Sequence, residues 1–76
     1  MNTMKTIAKN KISDNFNYPV ENKNTVYLKE GYQLEYTVLI NNDEVYATME
    51  YTDAVIAYCQ TRNEEIEKAS QWDGIQ

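Results

Sequence analysis

The sequence predicts an α+β fold, in which a three-stranded antiparallel meander is packed by one C-terminal α-helix. Apolar and polar residues alternate between residues 32 and 51, which is the period of strands that bury one face. A turn-forming residue, Gly31, precedes this region, and two more, Asn42 and Asp43, interrupt it. After Thr52 the apolar residues recur every three or four positions, which is the period of a helix.

The chain has 76 residues, enough for one small domain with one core. We divide it into an N-terminal segment (1–24), the meander (25–51) and the helix (52–72). Its hydrophobic fraction of 42% favours a folded chain over a disordered one. One cysteine cannot form an intrachain disulfide, and no apolar run approaches the roughly 20 residues that span a bilayer. We therefore expect a cytoplasmic protein.

The N-terminal segment is predicted to be a short helix or a disordered tail. Its apolar residues have the i, i+3, i+4, i+8 spacing of one helix face, at Met4, Ile7, Ala8 and Ile12. A helix this short is marginal without tertiary support, which leaves the disordered tail as the alternative. Residues 13–24 are predicted to be an extended connector that packs Phe16 and Tyr18, because Pro19 is excluded from a central strand.

The first turn of the meander is predicted at Lys29-Glu30-Gly31, with Gly31 in the left-handed conformation. This three-residue loop would pair Leu28 with Tyr32. A two-residue turn at residues 30 and 31 would instead pair Lys29 with Tyr32 and break the apolar match. The longer loop is therefore the prediction.

The second turn is predicted at Asn42-Asp43 and would set Ile40 opposite Val45. The pairs that follow from it are Val38 with Ala47, Tyr36 with Met49, and Leu34 with Tyr51. Because directly opposed residues share a face, this register would bury four apolar pairs on one side.

The same register places Glu35 opposite Glu50 on the outward face. Opposed carboxylates cost up to about 1 kcal/mol, so they are either tolerated in solvent or bind a partner rich in lysine and arginine. Tyrosine beside carboxylate suits protein recognition. The predicted partner-binding surface therefore comprises Tyr27, Glu35, Leu39, Asp43, Glu44, Tyr46 and Glu50. The alternative is that the N-terminal segment folds over part of this face and completes the core.

The helix is predicted from about Asp53 to Gln71, with Thr52 as its N-cap. Its buried stripe would consist of Val55, Tyr58, Cys59, Arg62, Ile66 and Ala69. Within this stripe, Arg62 is expected to pair with Glu65. Trp72 would cover one end of the core or serve as an exposed anchor for a partner.

The sequence offers little for catalysis. It contains no histidine and no glycine-rich phosphate loop, and its single cysteine falls on the predicted buried stripe. Two opposed glutamates could form a catalytic pair, but a chain this short has little room for a sugar cleft. We expect no catalytic residues, no metal site and no cofactor.

The net charge of −5 is unevenly distributed, because residues 1–29 carry +3 and residues 30–76 carry −8. This distribution disfavours direct binding to nucleic acid or to an anionic membrane, and it favours a basic protein as partner. We expect a non-enzymatic protein that inhibits its partner by blocking a basic surface that handles nucleic acid. In size and charge the chain resembles viral or mobile-element inhibitors of host defence, such as anti-CRISPR proteins. The alternative function is structural, through homo-oligomerisation.

Overall fold

The computed structural model describes the backbone of residues 4–72 and the side chains of residues 4–70. In chain order the elements are strand β1 (Lys5–Lys11), a 3₁₀ helix η1 (Ile12–Asn15), strands β2 (Thr25–Glu30), β3 (Tyr36–Ile40) and β4 (Asp43–Thr48), and helix α1 (Tyr51–Trp72). The strands form one antiparallel sheet in the order β1-β2-β3-β4. The predicted α+β architecture is confirmed, but the sheet has four strands instead of three. The predicted role of the Trp72 side chain lies outside the described residues.

The core lies between one face of the sheet and α1, which contacts η1 and strands β2 to β4. On the two central strands, Val26 is paired with Ile40 and Leu28 with Val38. The buried apolar residues are Ile12, Val20, Val26, Leu28, Val38, Ala54, Tyr58 and Ala69. The core therefore draws on the N-terminal segment and the connector as well as on the meander and the helix.

The predicted N-terminal helix or tail is wrong, because residues 5–11 pair with β2 as the fourth strand. The pairing skips one residue between Thr6 and Ala8, which leaves Ile7 as the extra residue of a β-bulge. The helix-like spacing gave the wrong prediction because its apolar residues do not share one face in the structure. Ala8 packs against the core, Ile7 is 37% exposed in the bulge, and Ile12 lies beyond the strand in η1. Backbone pairing with β2 decides the structure of this segment.

The connector after η1 contributes to the core, although not entirely as predicted. Phe16 packs against the core, whereas Tyr18 is 45% exposed and contacts the Phe16 ring at a centroid distance of 5.4 Å. Val20, which follows Pro19, is the buried residue of this stretch. The N–H of Ile12 donates to the Asn24 carbonyl at 2.9 Å, so the two ends of the connector are tied together.

The predicted first turn is wrong in position, although its type is right. The N–H of Gly31 donates to the Glu35 carbonyl at 2.7 Å, and the three residues 32–34 form the loop. The left-handed residue is Leu34, at φ 64°, and not Gly31. Tyr32 and Leu34 are consequently exposed, at 78% and 62%, instead of buried. The observed register is favoured because it places Val38 beside Leu28 in the core.

The predicted second turn is also wrong, because Ile40 pairs with Asp43 and the loop is Asn41-Asn42. The turn is held by tertiary contacts of Asn41. This residue has φ 59°, its amide nitrogen donates to Asn24 Oδ1 at 2.8 Å, and its Oδ1 accepts from the Thr25 N–H at 3.1 Å. The four predicted apolar pairs therefore do not form. Three of the residues that these pairs were expected to bury, Val45, Met49 and Tyr51, are 48%, 70% and 55% exposed.

Helix α1 begins at Tyr51 and buries Ala54, Tyr58 and Ala69 among its apolar residues. Cys59, predicted to be on the buried stripe, is half-buried and packs against the core. The predicted Arg62–Glu65 pair is wrong, since the Arg62 guanidinium donates to Asn63 Oδ1 at 3.1 Å. Within residues 4–72, none of the helices combines the length and apolarity needed to cross a membrane.

The left-handed conformation of Leu34 leads to a stability prediction. A leucine at this φ costs about 1–2 kcal/mol, and its exposed side chain gains little from burial. Asparagine adopts this conformation more readily, so Leu34→Asn should raise the free energy of unfolding by about 0.5–1 kcal/mol, a rise in melting temperature of a few degrees. Leu34→Val is the matched control, because a β-branched residue is disfavoured there and should lower the melting temperature. Thermal unfolding that moved in the same direction for both variants would contradict this account.

Candidate functional site

The structure does not bring the predicted partner-binding surface together. Glu35 directly follows the first loop, and its carboxylate accepts a hydrogen bond from the Gln33 N–H at 3.0 Å. Glu50 precedes α1, and its N–H donates to Thr48 Oγ1 at 3.1 Å. The predicted opposition of these two glutamates is therefore wrong, because the second turn and the bulge in β4 set a different register between β3 and β4.

The outward face of the sheet is mixed in charge instead of acidic. Across the four strands, Lys9 pairs with Tyr27, Tyr27 with Leu39, and Leu39 with Glu44. The ammonium of Lys29 lies 5.1 Å from the centroid of the Tyr27 ring, a cation–π contact. Tyr27, Leu39 and Glu44 thus share the predicted face, but with lysines beside them. This face is a poor match for a basic partner.

Tyr46 lies on the opposite side of the sheet from its predicted place. It is paired with Val38, whose side chain is fully buried beneath α1, so Tyr46 faces the helix. The correction follows from the bulge in β4, where the pairing skips Val45 between Glu44 and Tyr46. Asp43, the first residue of β4, is exposed at the same edge of the sheet.

Charge is separated across the fold. Strands β1 and β2 carry lysines at positions 5, 9, 11 and 29. Strand β4 begins with Asp43-Glu44, and β4 and α1 together carry six acidic residues against Arg62 and Lys68, a net charge of −4. The acidic side of the molecule is therefore the side formed by β4 and α1.

A groove of about 410 Å³ lies between the sheet and the helix on this acidic side. Its sheet side consists of Ile40, Val45 and Tyr46. Its helix side is a single stripe of α1, which comprises Asp53, Ile56, Ala57, Gln60, Thr61 and Glu64, with Glu65 and Lys68 at the far end. We call this feature the β4–α1 groove.

The apolar centre of the β4–α1 groove is open to solvent. Val45, Tyr46 and Ile56 are 48%, 42% and 49% exposed. In a regular strand Val45 and Tyr46 would point to opposite faces, yet both line the groove because the β4 bulge redirects the chain between them. The bulge thus places an additional apolar side chain on the groove wall.

The rim of the groove is acidic. Asp53 and Glu64 are exposed and form no ion pair with any side chain that the structure describes. Lys68 lies in the same stripe, but its ammonium is 3.3 Å from Glu65 Oε2 and so its charge is compensated within the helix. An approaching partner therefore meets apolar surface flanked by two free carboxylates.

A polar network surrounds Glu65, which lies at the far end of the groove and is only 4% exposed. Its Oε1 accepts hydrogen bonds from the Asn22 amide at 3.0 Å and from the Asn24 amide at 2.9 Å. Burial alone would raise the pKa of Glu65. The hydrogen bonds from Asn24, Asn22 and Lys68 outweigh burial and hold this pKa below its ordinary value. Glu65 is thus a buried carboxylate that anchors the connector to α1.

Two tyrosines outside the groove have raised pKa values. Burial raises the pKa of Tyr58, partly offset by the positive charge of Arg62. Partial burial and the Glu30 carboxylate raise the pKa of Tyr36, whose hydroxyl lies 3.5 Å from Glu30 Oε2. Both phenols stay neutral at pH 7, so neither is activated as a nucleophile.

Apart from Tyr46, the residues that define the groove are not among the predicted partner-binding residues. Ile56 is an apolar residue that falls outside the predicted buried stripe, and it is the one sequence signal that could have indicated a second apolar surface on α1. Val45 was assigned to the core, because the bulge that turns it toward the groove is not visible in an alternating pattern.

Within the described part of the chain, no group of cysteine, aspartate and glutamate side chains is arranged to hold a metal ion. Comparison of the chain with protein-family models, curated proteins and solved structures gave no match. The groove is therefore interpreted from its own geometry and charge.

Proposed function

We propose that this chain is a small acidic, non-enzymatic protein that binds another protein through the β4–α1 groove. Binding would inhibit the partner by covering a basic surface that handles nucleic acid. The observation that carries the proposal is the half-exposed apolar set Val45, Tyr46 and Ile56. It lies beside the carboxylates of Asp53 and Glu64, which form no ion pair with the side chains of residues 4–70.

An apolar centre with a charged rim is the common arrangement of protein-binding surfaces. The apolar side chains supply affinity when they are removed from water, whereas the charges steer the encounter and reject partners of the wrong sign. Here the rim is negative, so the complementary partner surface has an apolar ridge flanked by lysine or arginine.

A basic surface of this kind is also what binds phosphate backbones. Because both ligands neutralise the same cationic side chains, a chain with a net charge of −8 over residues 30–76 would compete with nucleic acid for them. This competition supports an inhibitory role of the viral or mobile-element counter-defence type.

Edge-to-edge assembly of the sheet receives less support. Both edge strands carry a bulge, at Ile7 in β1 and at Val45 in β4. Strand β1 has three lysines and β4 begins with two acids. Bulges and charges at sheet edges are the devices that prevent pairing with further strands.

The test is capture of the partner from a lysate of the cells that naturally contain the chain, with Glu64→Lys compared with Glu67→Lys. Both glutamates are exposed on α1 and both changes add two positive charges, but only Glu64 lines the groove. We expect Glu64→Lys to reduce capture about tenfold, because it introduces a charge of the same sign as the partner's at the rim of the interface. Glu67→Lys should leave capture within about twofold of wild type.

The captured protein should also lose nucleic-acid binding when the wild-type chain is added. When the Glu64→Lys variant is added instead, the captured protein should keep its nucleic-acid binding. Equal capture by both variants would exclude the groove as the binding surface. Unchanged nucleic-acid binding by the captured partner would exclude the inhibitory role.

A further inference from the structure

Resting on the proposed function, we infer that the occupant of the β4–α1 groove is a basic amphipathic α-helix of the partner. This helix would lie beside α1, with apolar side chains on Val45, Tyr46 and Ile56 and cationic side chains on Asp53 and Glu64. The inference follows from what the sheet leaves uncovered, from the length of the groove, and from the bulge in β4.

The helix layer over the sheet is incomplete on the side of β4. Four strands spaced about 4.8 Å apart place the axes of β1 and β4 about 14 Å from each other, whereas one helix is about 10 Å across. On the β1 side the layer is completed by η1 and the connector, through the buried residues Ile12 and Val20. On the β4 side, Val45 and Tyr46 remain half-exposed, and no other described segment lines the groove. Half-exposed apolar side chains of β4 are therefore left beside α1.

The length of the groove also suits a helix. Its helix-side stripe extends from Asp53 to Lys68, which corresponds to about 22 Å along α1. A partner helix of about 15 residues has the same length, and its apolar residues at every third and fourth position would follow the stripe.

A partner that joined the sheet as a fifth strand is disfavoured by the edge it would have to pair with. The outer edge of β4 is interrupted at Val45, where the extra residue breaks the regular spacing of donors and acceptors. The same bulge adds Val45 to the groove wall, so the feature that weakens strand pairing enlarges the apolar contact available to a helix.

Charge complementarity selects a basic helix over an acidic one. Asp53, which begins the groove stripe, and Glu64 lie about three turns of helix apart, and neither forms an ion pair within the described chain. Lysine or arginine residues that flank the apolar face of the partner helix can reach both carboxylates.

The experiment is a titration of the full-length, ¹⁵N-labelled chain with two synthetic peptides of equal leucine and lysine content, each about 15 residues long. In one peptide the leucines follow the helical period, and in the other they alternate with lysine. We expect the helical-period peptide to shift the amide signals of Val45, Tyr46, Ile56 and Gln60 and to bind at least about tenfold more tightly than the alternating peptide.

Ile56→Ala should weaken binding of the helical-period peptide about tenfold, because Ile56 is the largest apolar side chain that α1 contributes to the groove. Met49→Ala is the matched control, since Met49 is 70% exposed but does not line the groove, and it should have no effect. Alanine favours the helix, so Ile56→Ala should leave the circular dichroism unchanged.

Equal affinity for both peptides would show general charge attraction, and tighter binding of the alternating peptide would show strand addition; either result overturns the inference. It is also overturned by signal changes outside the groove, by no binding, or by concentration-dependent shifts of the groove signals without peptide, which would identify a second copy as the occupant. The capture experiment separates this inference from the proposed function. If the peptide titration gave one of these results but Glu64→Lys still reduced capture of the natural partner, only the helical occupant would be excluded and the proposed function would stand.

Discussion

Replacing Glu65 by alanine should lower the free energy of unfolding by about 3 kcal/mol. The change removes the acceptor of three hydrogen bonds, from the Asn22 and Asn24 amides and from the Lys68 ammonium. It also leaves two asparagine donors beside a buried space, because Glu65 is only 4% exposed. Folded chains of this length have a total stability of roughly 4–11 kcal/mol, so the loss should be plain in urea denaturation.

Glu65→Gln separates the charge from the shape of this side chain. Its carbonyl oxygen can still accept from both asparagines, but its amide faces the Lys68 ammonium as a second donor. We expect the free energy of unfolding of Glu65→Gln to lie between those of wild type and Glu65→Ala. Lys68→Ala should cost less than about 1 kcal/mol, because the lysine side chain is 69% exposed and its ion pair is screened by solvent.

The lowered pKa of Glu65 sets the direction of a pH effect. A carboxyl whose pKa is lower in the folded than in the unfolded chain stabilises the fold above its ordinary pKa, near 4.3, and this contribution is lost as the pH falls through the folded value. The difference in unfolding free energy between wild type and Glu65→Gln should therefore be largest at neutral pH and shrink in acid. A difference that stayed constant down to acidic pH would show that the ionised form has no special role.

The second large effect is expected at Ile12, where alanine should cost about 3 kcal/mol. Ile12 is fully buried and is among the three largest side chains that are completely enclosed, with Val26 and Val38. It lies directly after β1, and its N–H donates to the Asn24 carbonyl. Truncation would leave a cavity where the N-terminal segment, the connector and α1 meet.

The matched control is Ile7→Ala, in the bulge of β1. Ile7 is 37% exposed, so its truncation should cost less than about 1 kcal/mol. Hydrogen exchange of the β1 and β2 amides should accelerate in Ile12→Ala and stay close to wild type in Ile7→Ala. If Ile12→Ala were as mild as Ile7→Ala, the N-terminal segment would not belong to the cooperative core.

The sequence was sufficient for the fold class because alternation and helical spacing are local patterns. Val26, Leu28 and Val38 are on the buried face in both the prediction and the structure, and Tyr58 and Ala69 are buried on the helix as expected. These positions are determined by the period of each element, which is largely independent of how the elements meet.

The strand register and the fourth strand depended on contacts between residues far apart in the chain. The second turn is fixed at Asn41 by hydrogen bonds to Asn24 and Thr25, which no short window of sequence contains. Strand β1 has a single core-facing alanine and forms because β2 offers it a free edge. A shift of one residue reverses every side chain of a strand, which is why the predicted glutamate pair and the place of Tyr46 were wrong.

The sequence by itself determined that this chain is a small α+β domain with a basic first part and an acidic remainder, because composition, charge order and periodicity are properties of the chain alone. Only the tertiary structure decided where the acidic side lies and that it contains an open groove. That groove exists because the β4 bulge leaves Val45 as well as Tyr46 on the side of α1, and because α1 leaves both side chains half-exposed.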